Sequence, residues 1–239
     1  MCCKLFIDYS NFNWSKIFFE DLLKEIFMQF ASRGKQILTF DVRLYGGWYS
    51  EGLVTDQRTQ AILMVNTWPN ITKFENIVVR IKYSFADQVL SNYSDPIFDV
   101  RNTYVRRQEL FPRFKFVFSN DCKCKKCKIE EVRSWFKSGK ACFETTCRKG
   151  ASDVLVRFEQ KQVDTHLLAD LMSAVFLLKD ECFGLVSSDA DFIPGLQVFI
   201  AQNNQDKIVV LKSPKVKWFN ESELARNHLT ILNLESLRN

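Results

Sequence analysis

Four aspartates, Asp8, Asp164, Asp189 and Asp191, have the placement that chemistry at a phosphodiester needs. Asp8 ends the apolar run from Lys4, and Asp189 and Asp191 follow the apolar run Phe183 to Val186. Both runs read as short buried strands, so the acids fall at carboxyl ends, where open α/β sheets bind ligands. Asp164 opens a helical pattern and can point at the same edge. Four carboxylates in one crevice repel each other unless some are protonated or a cation neutralises them. Hard oxygen ligands select Mg²⁺ or Mn²⁺. Such ions lower the pKa of an attacking water and stabilise charge on phosphate and leaving oxygen. Each acid also has a plainer role open to it. Asp164 can cap its helix, Asp189 and Asp191 can cap the helix that begins near Pro194, and Asp8 can hold a turn. Together, at strand ends, they favour a site.

The elements that must position these acids alternate between strand and helix patterns, which predicts an α/β sandwich with a mostly parallel sheet. Strand Lys4–Asp8 gives way to the polar turn Tyr9-Ser10-Asn11. Apolar residues Ile17, Phe18, Leu22, Ile26 and Phe30 then recur at helical spacing within residues 14–32. Further strands are expected over 36–45, 76–83, 114–118, 154–158, 183–186 and 207–211. Helices are expected over 56–66, 165–179 and 194–203, with a last one from Ser222. Residues 84–109 give no assignment.

With 46% hydrophobic and 26% charged residues, the 239-residue chain can build a buried core and is not of disordered type. No apolar stretch reaches membrane-span length, and the start MCCKLFIDYSN has no signal-peptide pattern. The expectation is a cytoplasmic protein whose eight cysteines are thiols or metal ligands rather than disulfides. Five of them cluster as Cys122-x-Cys124-x₂-Cys127, fourteen residues, then Cys142-x₄-Cys147. Two close pairs across a short loop suit a structural Zn²⁺ held by Cys124, Cys127, Cys142 and Cys147, with Cys122 as an alternative ligand. Free thiols or a redox pair are the other readings. Cys2, Cys3 and Cys182 flank strands and are expected to pack.

Residues 121–150 hold nine Lys or Arg against four Asp or Glu, an excess equal to the +5 of the whole chain. A folded module would present Lys123, Lys125, Lys126, Lys128, Arg148 and Lys149 to phosphate, positioning nucleic acid without reading its sequence; a solvated loop surface is the alternative. Zinc thiolates would offset part of this charge. Trp135 and Phe143 suit either base stacking or the module's small core, and Trp48 and Tyr45 either nucleic-acid contact or packing. His166 lies near Asp164, but a lone helical histidine is usually structural.

The strings LFIDYSN (5–11), KQVDTHLLADLM (161–172) and LVSSDADFIPGL (185–196) resemble, in order, the signature segments of NYN domains, part of the PIN-like ribonuclease superfamily. RLYGGW (43–48) is similar to the aromatic end of that family's second strand. The resemblance covers roughly residues 1–60 and 158–235 and not the middle. It implies a PIN-like three-layer α/β/α sandwich over residues 1–120 and 151–239, with the zinc module at 121–150 inserted. It also implies a Mg²⁺- or Mn²⁺-dependent endoribonuclease with Asp8, Asp164, Asp189 and Asp191 as metal ligands. Asn11 would orient water or phosphate, and Ser10, Ser187 and Ser188 would line the pocket. Asp170 matches a second acid of many members, and Lys161 begins the second segment on the nucleic-acid side. Two departures stand out. Ser188 and Ala190 replace the family's usual glycines, and the cysteine insertion is foreign to the standard domain, so substrate choice does not carry over. RNA, including structured RNA such as tRNA, is the expected substrate; a DNA nuclease and a non-catalytic RNA- or protein-binding module are the competing readings.

Overall fold

Strand β1 (Cys2–Asp8) is buried from Leu5 to Asp8, as a central strand with helices on both faces must be. Its alternate side chains serve two cores. Leu5 and Ile7 join one cluster with Leu22, Ile26 and Phe30 of helix α1 (Phe19–Ala31). Phe6 joins the other, with Leu167 and Leu171 of the helix that carries Asp164.

The computed structural model describes residues 1–14, 19–50, 52–87, 104–107, 115–116, 155–160, 162–178, 181–219 and 221–233. After α1 come β2 (Thr39–Tyr45), the two-residue strands β3 (Tyr49–Ser50) and β4 (Leu53–Val54), α2 (Asp56–Val65), β5 (Ile71–Phe74) and β6 (Ile77–Phe85). Strands β7 (Tyr104–Arg107), β8 (Lys115–Phe116) and β9 (Leu155–Gln160) precede α3 (Val163–Leu177), β10 (Cys182–Val186) and α4 (Ile193–Ala201). The described chain closes with β11 (Ile208–Lys212), α5 (Glu221–Arg226) and β12 (Thr230–Asn233).

Seven strands form one sheet in the order β12-β11-β10-β1-β2-β6-β5. Every pairing in it is parallel except the β5–β6 hairpin. The chain is thus an α/β protein with a mostly parallel central sheet flanked by helices. From β1 the path runs to β2 on one side, while β10, β11 and β12 extend the other, so the strand order reverses beside β1. Such a switch point opens a crevice at the carboxyl ends of the strands. None of the described helices is long and apolar enough to cross a membrane.

Two elements differ from the sequence expectation. Asn76 lies in a two-residue hairpin turn with Glu75, whose φ of 53° suits the twist of a tight hairpin, so β6 begins at Ile77 and pairs with an added edge strand. The last helix is only six residues long; the chain turns at His228, with φ 64°, and adds β12 to the edge of β11.

The chain divides into two compact units, Met1–Thr103 with Gln160–Asn239, and Tyr104–Glu159. The second holds a three-stranded sheet ordered β7-β9-β8, in which β8 and β9 are antiparallel. The expected zinc module, with Cys122, Cys124, Cys127, Cys142 and Cys147, lies outside the described residues, as do Lys123, Lys125, Lys126, Lys128, Arg148, Lys149, Lys161, Trp135 and Phe143. Cys2, Cys3 and Cys182 are free thiols, and Cys3 and Cys182 are fully buried opposite each other on β1 and β10.

Helix α4 reaches α3 through Gly195. A Cβ there would stand 2.3 Å from Leu168 Cδ1, so no side chain fits without movement. Gly195→Val should cost about 1–3 kcal/mol through overpacking, read as a fall in melting temperature; an unchanged melting temperature would show that this contact is soft.

Candidate active site

The crevice is built from the three places where acids end or begin an element. β1 stops at Asp8 because the chain turns into a 3₁₀ turn, Tyr9–Asn11, leaving the Asp8 side chain 3% exposed. Asp8 Oδ2 accepts a hydrogen bond from Ser187 Oγ at 3.1 Å and another from the Asn11 side-chain amide. The Ser10 backbone N–H also donates to it. Burial raises the Asp8 pKa to about 7, and the nearby carboxylates of Asp164 and Asp189 push in the same direction. The Ser187 and Ser10 hydrogen bonds oppose that rise without cancelling it.

Asp164 sits in the exposed first turn of α3, where the helix dipole favours negative charge. Its pKa is raised nonetheless, first by desolvation and then by Asp189 and Asp191. It is not the N-cap. That position is Gln162, held at φ 65°, a left-handed conformation uncommon outside glycine.

Asp189 follows β10 and caps the 3₁₀ turn Ala190–Phe192, accepting from the Asp191 backbone N–H at 2.9 Å. Its own N–H donates to Ser187 Oγ at 3.1 Å. Ser187 is therefore a junction, fully buried, joining Asp8, Asp189 and Asn11, whose amide reaches it at 3.1 Å. Ser188 ties the same loop to the end of β11: its hydroxyl accepts from the Ser213 N–H at 2.9 Å, and its carbonyl accepts from the Trp218 indole N–H at 3.1 Å. Ser10 accepts from the Gln57 side chain at 2.9 Å. The exposed Asp191 lies on the open side.

Asp170, expected in the pocket, lies in a buried cluster around Tyr45, the β2 neighbour of Asp8. Its carboxylate is wholly buried and gathers Tyr45 Oη at 2.8 Å, Arg43 Nε at 3.1 Å and His166 Nε2 at 3.3 Å. This cluster fastens α3 to β2, and burial beside Asp170 drives the Tyr45 pKa well up. Both Tyr45 and Trp48 are core residues, each 1% exposed. Sequence reasoning gave no role to Arg43 or Trp218. The one signal for Arg43 was a charge set two residues before Tyr45 in an apolar strand.

Asp8, Asp164 and Asp189 thus come from three separated segments and interact electrostatically, and all their donors are oxygens. That chemistry fits a hard divalent cation, which would relieve the repulsion that adds to burial in raising the Asp8 pKa. Among the described residues, no three His, Cys, Asp or Glu side chains already stand as ligands around one point. What fold and site define is a class: an α/β protein with an acidic crevice at its sheet's switch point. Comparison with family models, curated proteins and solved structures finds no match to this chain.

Proposed function

We propose that the chain is a metal-dependent endoribonuclease of the NYN, PIN-like kind, hydrolysing RNA phosphodiester bonds at the Asp8 crevice. One observation carries the reading. Asp8, Asp164 and Asp189, far apart in sequence, lie close enough at one sheet edge that the charges of Asp164 and Asp189 add to the larger effect of burial in raising the Asp8 pKa. A protein that only bound RNA would gain nothing from such a cluster beside phosphate. Asp8, Asp164, Asp189 and Asp191 would hold Mg²⁺ or Mn²⁺, which supplies an activated water and charge stabilisation when bound. Asn11 and Ser187 orient the Asp8 carboxylate, and Ser188 fixes the loop that presents Asp189. The three-layer sandwich of the family would frame this site, with a zinc-bound module at 121–150 adding lysine contacts to RNA phosphates.

The test is cleavage of labelled total RNA and of single-stranded DNA, with Mg²⁺, Mn²⁺ or EDTA, by wild type and Asp189→Asn. Asparagine keeps an Oδ1 to accept the Asp191 N–H, so the local turn should survive while the charge is lost. Because outer-shell partners of metals already contribute about 10–100-fold, loss of a direct ligand should cut metal-dependent RNA cleavage at least about 100-fold. Preferential cleavage of DNA would move the assignment to a DNA nuclease. Folded wild type that cuts neither substrate would leave a binding module.

A further inference from the structure

Lysine is almost never fully buried unless its charge is paired, yet Lys212, the last residue of β11, is 1% exposed. Among the described residues no other lysine or arginine is buried. Its ammonium donates to the Val216 carbonyl at 2.6 Å and meets Glu221 Oε2 at 3.0 Å. It also stands 5.7 Å from the centre of the Trp218 ring, within reach of the ring's negative face. All three partners belong to the stretch that follows β11. The ammonium is thus a hub for residues 213–221, with Glu221 at the start of α5 as its counter-charge.

The same stretch grips the loop that carries Asp189. Strand β11 runs beside β10 with Val186 opposite Leu211, and the Ser187 N–H donates to the Leu211 carbonyl at 3.1 Å. Past the paired strands Ser188 is held twice, by the Ser213 N–H at 2.9 Å and by the indole N–H of the buried Trp218 at 3.1 Å. The ring that sends its N–H to Ser188 is the ring beside which Lys212 stands. A buried ion pair is weak evidence for stability, because desolvation offsets much of its attraction. Its geometric effect is firmer, since an ammonium is a donor only and must be met by acceptors held in place around it. Lys212 therefore reaches Asp189 through two intermediaries, Trp218 and Ser188.

We infer that Lys212 is a positioning residue for Asp189: by fixing Trp218 against Ser188 it holds the Asp189 loop where a cation would be ligated. The inference rests on the nuclease reading of the acids. It adds to that reading a support built on β11, a strand that carries none of the four acids.

Two variants test it. Lys212→Met keeps most of the side chain's length and removes the ammonium. Trp218→Phe keeps an aromatic ring and removes the N–H that reaches Ser188. Because Trp218→Phe retains the Lys212–Glu221 pair, it carries the test even where Lys212→Met fails to fold. The first readout, amide hydrogen exchange in EDTA, reports local opening and needs no metal. Exchange across residues 187–191 should quicken at least about fivefold, the worth of one hydrogen bond, while β1 and α1 keep wild-type protection. The second readout is Mn²⁺ affinity, followed through the paramagnetic resonance of the free ion. It should fall at least about tenfold, as for a lost outer-shell partner. Unchanged exchange at 187–191, or uniform quickening over the whole chain, overturns the inference. So does local quickening that leaves the Mn²⁺ affinity of a metal-binding wild type intact. Local quickening in a protein whose wild type neither binds Mn²⁺ nor cuts RNA upholds Lys212 as the support of this loop and removes the nuclease reading. Metal-dependent cleavage by wild type with exchange unaltered in both variants does the reverse.

Discussion

Asp8→Asn should make the metal-free protein more stable at pH 8, and the gain should vanish near pH 4. Burial lifts the Asp8 pKa from 3.8 to about 7. A carboxyl whose folded pKa is raised contributes stability that is fully present below its unfolded pKa and is lost as pH climbs through the folded one. Above about pH 7 the wild type therefore keeps an ionised carboxylate in a buried, acidic setting. Some three pKa units correspond to an upper bound of about 4 kcal/mol. Asparagine keeps an oxygen for the Ser187 and Asn11 donors and carries no charge. Thermal unfolding in EDTA from pH 4 to 8 should show the two proteins converging near pH 4, separating as pH rises above it and reaching the full gap by about pH 7. Saturating Mg²⁺ should narrow the gap by stabilising wild type alone, since a ligand that binds the native state raises its stability. A gap independent of pH would mean that Asp8 is not held against its charge, and the case for a cation at this edge would weaken.

Asp170→Ala should cost about 3–5 kcal/mol, the range for removing one partner from a buried charged pair. The Asp170 side chain is wholly buried and that of Arg43 12% exposed, so truncation leaves a guanidinium, a tyrosine hydroxyl and a histidine facing an empty space. Tyr45→Phe removes one hydrogen bond from the same cluster and should cost only about 1–2 kcal/mol. Calorimetric unfolding of both variants checks the ranking. Because α3 also carries Asp164, a proposed metal ligand, surviving folded Asp170→Ala should show weaker apparent metal affinity together with reduced metal-dependent cleavage. A loss under 1 kcal/mol would show that water replaces the carboxylate and that the cluster does not fasten α3.

The strand-end acids were readable because parallel strands buried on both faces are written as unbroken apolar runs. LFI stops abruptly at Asp8 itself, and FGLV at Ser187 and Ser188 just ahead of Asp189. Helices α1 and α3 were equally visible from their apolar spacing. Strands β5 and β12 were not. Both are four-residue edge strands with half-exposed faces, such as Ile71 at 62%, and local pattern does not separate them from loop. The Asp170 cluster was hidden for another reason. Its meaning depends on β2 lying beside β1, with Tyr45 paired to Asp8, a relation between residues more than a hundred positions from Asp170.

The reversal of strand order beside β1 also bears on when the crevice comes into being. Its acids arrive at residues 8, 164, 189 and 191, so synthesis from the N-terminus delivers the first long before the last. A nascent chain that has not yet released β10 from the ribosome has Asp8 but lacks the strand that brings Asp189 beside it. On the nuclease reading, the message being translated is safe from its own product until β10 and the Asp189 loop have emerged, a delay set by topology alone and needing no inhibitor.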